Sequence, residues 1–440
     1  MRIRLQIVLF CTAILLCSTI SAQTGKVSVL KDATLEACVQ YALTHQPVLQ
    51  QSLLDEAIIE KQIQGKLADW YPQLNLNYNL QHSFELPVAY FSGAYVRNGT
   101  FNTSNVGLNV TQNIFNKDVL FASRTAEDIR KQSKQNTNFN RIDIAVSVSK
   151  AFYDVLLTRQ QVSVLNEAVT RLERSLKDAV SQYQSGVADK IDYKRATIAL
   201  NNARAQRKQV SDLIVAKLSY LKQLMGVSDS TLVQLQYDTS HMETDAIVDT
   251  SAGVQYDNRI EYKILQTQQR LQQANEKYYR SAFVPSISAF GNYNMGYLNN
   301  EFFKTYNQGF SNSNIGLLLS LPIFQGNKRV LQVRQAELQT KRVDWEMVLL
   351  KSKLNTQYTQ AMAVYKGNLS NYQSLKENVV LADDVYKTLD IQYRSGIKTY
   401  LDVIIAESDL RTAQLNFYNA LFQLLQSKLD VQKALGTIQY

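Results

Sequence analysis

Three histidines and three cysteines are all that this 440-residue chain offers for metal-binding or nucleophilic chemistry. His45 falls in a helical pattern, His82 in an alternating one and His241 in a polar stretch, with no HExxH or CxxC spacing, no nucleophile elbow and no phosphate-cradling glycine loop. Each reads as a lone, satisfied histidine, so the sequence calls for no enzyme, cofactor or metal. The residues whose types recur at fixed spacing are Gln182-Tyr183-Gln184-Ser185-Gly186 and Gln392-Tyr393-Arg394-Ser395-Gly396. Each stretch interrupts a run of helix formers, and glycine ends one helix in the left-handed conformation so that another can begin. Both therefore mark the tip of a helical hairpin. An aspartate follows each glycine by six residues, Asp192 and Asp402, where the positive end of the returning helix favours a carboxylate. Tyr393 suits packing along a helix seam. The chemistry on offer is conformational and electrostatic.

The elements that carry these tips are written twice. Pro72 and Pro285, Gly107 and Gly316, Phe115 and Phe324, and Gly226 and Gly436 keep nearly the same offset as the tips, which indicates internal duplication. Only five prolines and 16 glycines are spread over the whole chain, far below average use, so long regular elements are implied. Between Gly107 and Gly226 the only glycine is Gly186 and proline is absent. A helix from about Asn116 to Tyr183 would run for ~100 Å at 1.5 Å per residue, which no globular domain needs. A second long helix is expected from about Lys328 to Tyr393, with return helices ending at Gly226 and near Leu435. Leu415, Tyr418, Phe422, Leu425 and Leu429 form one coiled-coil seam of the last helix, and Leu410, Phe417, Leu421, Leu424 and Val431 a second. Two seams imply neighbours on both sides.

The period changes at Trp70-Tyr71-Pro72. From Gln73 to Gln81, Leu74, Leu76, Tyr78 and Leu80 alternate with Gln73, Asn75, Asn77, Asn79 and Gln81. A strand with one apolar and one amide face, of the ~9–11 residues that a membrane strand needs, suits a barrel wall around a wet lumen. Partner strands are expected around Val106–Thr111, Ile287–Met295 and Ile315–Leu321, joined in pairs by an aromatic loop through Tyr90–Phe101 and another through Phe302–Phe310. Tyr71, Phe115, Phe283 and Phe324, near the strand ends, fit a membrane-interface belt. Residues 227–252 gain Asp, Ser and Thr and lose periodicity, as a linker does.

The N-terminus places Arg2 and Arg4 before an apolar segment and ends it with Ser21 and Ala22, the pattern of a secretory signal over residues 1–22. Leu16 argues against a lipoprotein signal at Cys17. Cleavage would leave Cys38 alone, and 45 basic against 38 acidic residues, or +7. The charges are interspersed along helical segments, which reads as solvated helix faces and not as a nucleic-acid footprint.

Four strands per chain cannot close a membrane barrel, whose smallest usual size is about eight, and unpaired backbone groups cost several kcal/mol each in hydrocarbon. Several copies must pool their strands. Each strand pair returns to the side it left, so all helices lie on one side, the periplasmic one.

In its order of helices and strands, its duplication, Pro72 and Pro285 after helices and its paired Tyr-x-Ser-Gly turns, the chain resembles the TolC-like outer-membrane efflux proteins over about residues 32–436. The resemblance implies a mainly α fold with membrane β: coiled-coil hairpins forming a periplasmic α-barrel, and four strands contributing to a shared twelve-stranded β-barrel of a homotrimer. It implies a signal peptide over 1–22, a first repeat over 32–226, a linker over 227–252 and a second repeat over 253–440. The function implied is that of an outer-membrane exit duct of a tripartite efflux pump, working with a periplasmic adaptor, an inner-membrane pump and outer-membrane lipid. A type I protein secretion duct shares every feature, and a soluble periplasmic coiled-coil adaptor is the rival from another class. By resemblance, Asp192, Tyr393 and Lys398 match a network that keeps the periplasmic entrance closed. Tyr183, Ser185, Gly186, Tyr393, Ser395 and Gly396 would dock the adaptor. Asp402 matches the first position of a lumenal acidic ring; the second position is Ile405, with Glu407 nearby, which leaves a single ring.

Overall fold

The structure, a computed structural model, describes residues 29–236, 242–249 and 253–438. The expected signal segment, with Cys11 and Cys17, and His241 lie outside the described residues. The chain opens with β1 (Val29–Ala33), α1 (Leu35–His45) and α2 (Pro47–Ala68). Thr34 caps α1 by accepting the Ala37 amide at 3.2 Å, and Pro47 occupies the first turn of α2, where its missing N–H has no helical partner to lose. Then come β2 (Gln73–His82), β3 (Val88–Phe91), β4 (Ala94–Arg97), β5 (Asn102–Phe115), the 68-residue α3 (Lys117–Gln184) and α4 (Lys190–Met225). After β6 (Leu232–Leu235) and the short α5 (Met242–Asp245), the plan repeats as α6 (Ile260–Arg280), β7 (Ser286–Asn299), β8 (Gly309–Ser320), the 67-residue α7 (Lys328–Arg394) and α8 (Tyr400–Leu435). The two long helices and their returns lie within two residues of the bounds that the glycine spacing predicts.

β2, β5, β7 and β8 form one antiparallel sheet in that order. Gln73 lies opposite Thr111 and Ser286 opposite Ser320, so all four helix-bearing ends sit along a single edge of the sheet. Paired residues share a face, and the register continues the alternation of β2 across the sheet. Leu74, Val110, Gly291 and Ile315 form one row of the apolar face; Asn75, Asn109, Asn292 and Asn314 form the next row of the opposite face. The Asn292 amide donates to Asn314 Oδ1 at 2.9 Å, and in the neighbouring row Asn294 donates to Asn312 at 3.2 Å. Gly107 makes room for this lattice, since a Cβ there would lie 2.5 Å from the Asn294 side-chain oxygen. β2 and β8 are the outer strands, and their outer backbone edges have no partner strand within the sheet.

Two expectations need correcting. The stretch over 227–252 is more than a linker: β6 pairs in parallel with β1, joining Val29 to Leu232, and Tyr365 of α7 reaches the segment that follows. The Tyr365 hydroxyl donates to the Ala246 carbonyl and accepts the Val248 amide, both at 3.0 Å, and the ring is fully buried. A parallel pair closes over some 200 residues, so no local pattern announces it. The aromatic loop after β2 holds its own ribbon, with Tyr90 opposite Tyr95 in β3 and β4, and Phe310 belongs to β8 and not to the loop before it.

The main core surrounds the middle of α3, from Ala145 to Leu157, packed by α1, the end of α4, α7, α8 and the β1–β6 pair. The duplication also governs how each return helix stops. Gly226 and Gly436 end α4 and α8 in the left-handed conformation at φ +69° and +72°. A Cβ would meet the His45 carbonyl oxygen at 2.7 Å in the first case and the Asn258 carbonyl oxygen at 2.8 Å in the second. The next residue in each repeat satisfies the carbonyls left over at the helix end: Gln46 donates to Leu224 O at 3.1 Å, and Arg259 to Ala434 O at 2.8 Å. Gly186 also has positive φ, but a Cβ there meets nothing. Gly226→Ala is therefore expected to lose about 2–3 kcal/mol, conformational cost plus displacement of the α1–α2 junction, and Gly186→Ala about 1 kcal/mol. Denaturant midpoints of the two variants in detergent measure the difference.

Candidate functional site: the hairpin tips

α3 with α4 and α7 with α8 form two hairpins, and α3 packs against α8, so the helices run side by side in the order α4, α3, α8, α7. The two tips are built alike. Ser185 and Ser395 each close the last turn by donating to the carbonyl four residues back, at 2.9 and 3.0 Å. Gly186 and Gly396 both have φ +75°, and the amides after them return to Gln182 O and Gln392 O at 2.9 and 2.8 Å. This is the αL stop that the paired glycines predict. Val187 and Ile397, equivalent residues at the turns, are 79% and 72% exposed, which leaves apolar surface at the far end of each hairpin.

The return helices start differently. Asp189 caps α4 by accepting the Ile191 amide at 2.9 Å. Thr399 and Asp402 form a reciprocal capping box on α8: Asp402 Oδ2 accepts the Thr399 amide at 3.0 Å and its hydroxyl at 2.8 Å, while the Asp402 amide donates to Thr399 Oγ1 at 3.3 Å. The Thr399 hydroxyl and amide hold the Asp402 carboxyl below the usual carboxylate range, helped by the charge of Lys398.

Tyr393 lies between the hairpins, where its hydroxyl donates to Gln182 Oε1 of α3 at 2.8 Å and its ring meets Tyr400 edge-on at 5.7 Å. A small core of Ala179, Ala196 and Tyr400 packs beside it, flanked by Leu176, Tyr193 and Ile404. Burial pushes the Tyr393 hydroxyl up, and the charges of Asp192, Asp178 and Asp390 add to it. Asp192 is thus close enough to act on Tyr393, though the two share no hydrogen bond within the protomer. Lys398 is exposed, and its charge acts on Asp402. The structure brings Tyr393 and Asp192 into one neighbourhood and places Lys398 beside Asp402.

Sequence spacing gave no notice of the buried cluster two turns above. Glu407 is 3% exposed; Arg411 reaches its carboxylate at 3.2 Å and Arg171 of α3 at 3.5 Å, with the Arg171 guanidinium 5.6 Å from the Tyr386 ring centre. Glu407 therefore points into the seam between the hairpins. Burial raises its carboxyl above the ordinary range, against the pull of Arg411 and Arg171. Ser175 donates to the Tyr400 hydroxyl at 3.0 Å and completes the contact of α3 with α8. Elsewhere the histidines have local partners: His45 stacks on Tyr41 with ring centres 4.0 Å apart, and His82 Nδ1 lies 2.7 Å from Asn102 Oδ1. Among the described residues no cluster of potential ligands is arranged for a metal, and no helix is long and apolar enough to cross a membrane.

Comparisons with known proteins agree on one family. The family model described as outer membrane efflux protein matches residues 38–227 and 261–437. The chain is 20% identical over 380 residues to the outer membrane protein TolC of Vibrio cholerae, covering 83% of this chain and 82% of that one. Its fold is similar to the crystal structure of the outer membrane protein VceC from Vibrio cholerae, with TM-score 0.71, 16% identity and coverage of 91% of this chain and 96% of that one. It is also similar to a crystal structure of CusC, with TM-score 0.74, 17% identity and 93% of both chains covered.

The seam yields a prediction with a definite sign. Because Glu407 titrates above its unfolded value, folding favours the protonated carboxyl; that contribution is complete below about pH 4.3 and is lost as pH rises through the raised value. Glu407→Gln, which mimics the protonated group, is expected to be at least as stable as wild type at pH 7.5, with the difference gone near pH 4. Glu407→Ala strands Arg411 and Arg171 around an empty site and is expected to cost about 3 kcal/mol. Urea midpoints at the two pH values, in detergent, decide both.

Proposed function

We propose, because this chain belongs to the outer membrane efflux protein family, that it is the outer-membrane exit duct of a tripartite pump, a homotrimer whose pooled strands close a twelve-stranded barrel above a periplasmic helical tunnel. It is a channel and not an enzyme. The observation that carries the trimer is the open sheet, apolar on one face and amide-lined on the other, with both outer strands unpaired. Lipid accepts such a sheet only when every edge finds a partner. The helices support the same assembly. Leu331, Leu338 and Trp345 of α7 repeat every seven residues and are 60%, 66% and 73% exposed, an apolar stripe on one outer helix of the protomer. Leu54 and Ile58 of α2, the outer helix on the other side at this same sheet-proximal end, are also exposed. Coiled-coil pairing of α2 with α7 of the next copy would cover both.

The amide face lines the lumen in this reading, and the tips form the periplasmic entrance. The domain plan that goes with it is a leader over 1–22, repeats over 32–226 and 253–440, and a connector over 227–252. The exposed Val187 and Ile397, beside Tyr183, Ser185, Gly186, Tyr393, Ser395 and Gly396, give a periplasmic adaptor its docking surface, and through it an inner-membrane pump. Small toxic compounds are the cargo. Matched proteins of Pseudomonas putida are named as efflux pump outer membrane proteins, which favours efflux over protein secretion. The location follows: outer membrane for the barrel and periplasm for the helices, in a Gram-negative-type bacterium.

Asp192, Tyr393 and Lys398 hold the entrance closed, Asp192 and Lys398 by pairing across protomers, since neither side chain has a hydrogen-bond or ion-pair partner within its own among the described residues. Asp192→Ala combined with Tyr393→Ala is expected to raise single-channel conductance in planar bilayers several-fold. Unchanged conductance removes both from the gate. Asp402 contributes one carboxylate per copy to a lumenal ring just inside the entrance, and Asp402→Ala is expected to relieve block by divalent cations added on the periplasmic side. A wild-type channel indifferent to such ions would refute the ring.

A further inference from the structure

The short segment between β7 and β8 folds back against the apolar face of the sheet. Tyr306 carries the contact. Its hydroxyl lies 2.7 Å from the Tyr78 hydroxyl and donates to Ser104 Oγ at 3.2 Å, and its ring meets that of Tyr297 at 5.1 Å. The strand register places Tyr78 opposite Val106, and Ser104 opposite both Leu80 and Tyr297, so all three contacts belong to the same apolar face as Leu74 and Leu76. The segment is pinned at both ends. The Asn299 side chain accepts the Glu301 amide at 3.0 Å and donates to the Lys304 carbonyl at 3.1 Å. At the other end Gly309 lets the strap lie close, since a Cβ there would be 3.0 Å from the Tyr297 ring and 3.1 Å from Met295 Sδ. Thr305 is buried beneath the turn, while Phe303 points away from the protein and is 97% exposed.

Two features of this arrangement suit a lipid neighbour. Tyr306 gathers hydroxyls that would otherwise lie unpaired on a hydrocarbon-facing wall, and unpaired polar groups are costly there. Phe303 and the half-exposed Phe302 are an aromatic pair, with edge-on rings 5.6 Å apart, presented on the outer side of the wall and flanked by the Lys304–Glu301 ion pair at 2.8 Å. Aromatic rings next to charged groups at the end of an apolar band match the boundary between acyl chains and headgroups. The segment lies at the end of the sheet opposite the helices, the outer-leaflet side. We infer that residues 301–308 form a lipid-side strap seated in the outer leaflet, with Phe302 and Phe303 in the acyl region and Lys304 and Glu301 at the headgroups. The proposal rests on the apolar face being the lipid-facing wall of the barrel.

A site-directed fluorophore separates the two claims. Cys38 is fully buried and its thiol is pushed up to about 12 by burial, so it is protected from thiol labelling. Phe303→Cys, Leu76→Cys and Ser185→Cys are each introduced together with Cys11→Ser and Cys17→Ser, labelled with an environment-sensitive dye and reconstituted in phosphatidylcholine vesicles. Ser185 is the aqueous control at a hairpin tip, and Leu76 reports the apolar wall. The strap predicts that a phosphatidylcholine carrying a nitroxide high on its chain quenches position 303 at least half as strongly as position 76. Aqueous iodide should quench 303 at most one-third as strongly as 185. If iodide reaches 303 as readily as 185 while position 76 stays shielded, the strap lies in external water and the inference is overturned. Should position 76 itself be open to iodide, the membrane reading of the sheet fails and the strap with it.

Discussion

The structure depends on hydrogen bonds that one chain cannot make. A β-strand exposes a row of N–H and C=O groups along each edge, and in hydrocarbon no water satisfies them. β2 and β8 leave two such rows on every protomer. Everything about the sheet follows from having to share them. In the proposed barrel the mainly apolar face meets lipid on every strand, and the opposite face, rich in amides and free of charge, meets water without repelling either sign of charge. Asn75, Asn109, Asn292 and Asn314 stand in one register row, and within it the Asn292 amide donates to Asn314 across the strands.

The helices are a longer answer to the same requirement for partners. A helix of 68 residues is stable because apolar stripes along its length are laid against neighbouring elements, and not because of propensity. Within the protomer α3 is covered by α4 and α8; α7 keeps a heptad stripe in the open. The duplication makes this economical in sequence while allowing the two halves to differ where they touch different things. At the end of α4 the leftover carbonyls are met by Gln46, a neutral amide at a surface junction. At the end of α8 the equivalent task falls to Arg259, which is 3% exposed and held by Glu261 at 2.8 Å. A buried guanidinium demands a carboxylate as well as a carbonyl, and the second repeat supplies one two residues on.

Local rules made most of the architecture legible. The period-two run of β2, the absence of glycine and proline through α3, and glycines at 186, 226, 396 and 436 each act within a few residues, so they can be read without knowing the fold. What escaped depends on contacts between distant segments. The β1–β6 pair joins strands some 200 residues apart, and neither has a pattern that names the other. Glu407 looked like a neighbour of a lumenal ring because it follows Asp402 by five residues, but five residues along a helix is more than a full turn, and the side chain enters the seam toward Arg171. The partner of Tyr393 was hidden in the same way: Gln182 stands in the first tip stretch, yet only the packing of one hairpin against the other shows that its side-chain oxygen accepts the tyrosine hydroxyl.

The capping box on α8 bears on how the entrance works. Asp402 Oδ2 accepts from both the amide and the hydroxyl of Thr399, so the carboxylate is fixed relative to the helix axis and cannot swing toward a passing ion without uncapping the helix. In a closed ring, three such carboxylates would repel one another and each would tend to take up a proton. The cap works in the opposite direction, holding Asp402 ionised through two donated hydrogen bonds and the helix dipole. A capped aspartate can therefore keep its charge in company where a freely rotating one would neutralise. The residue that closes the cap of the return helix is also the one proposed for the acidic ring, and the first role supplies the rigidity and the ionisation that the second would require.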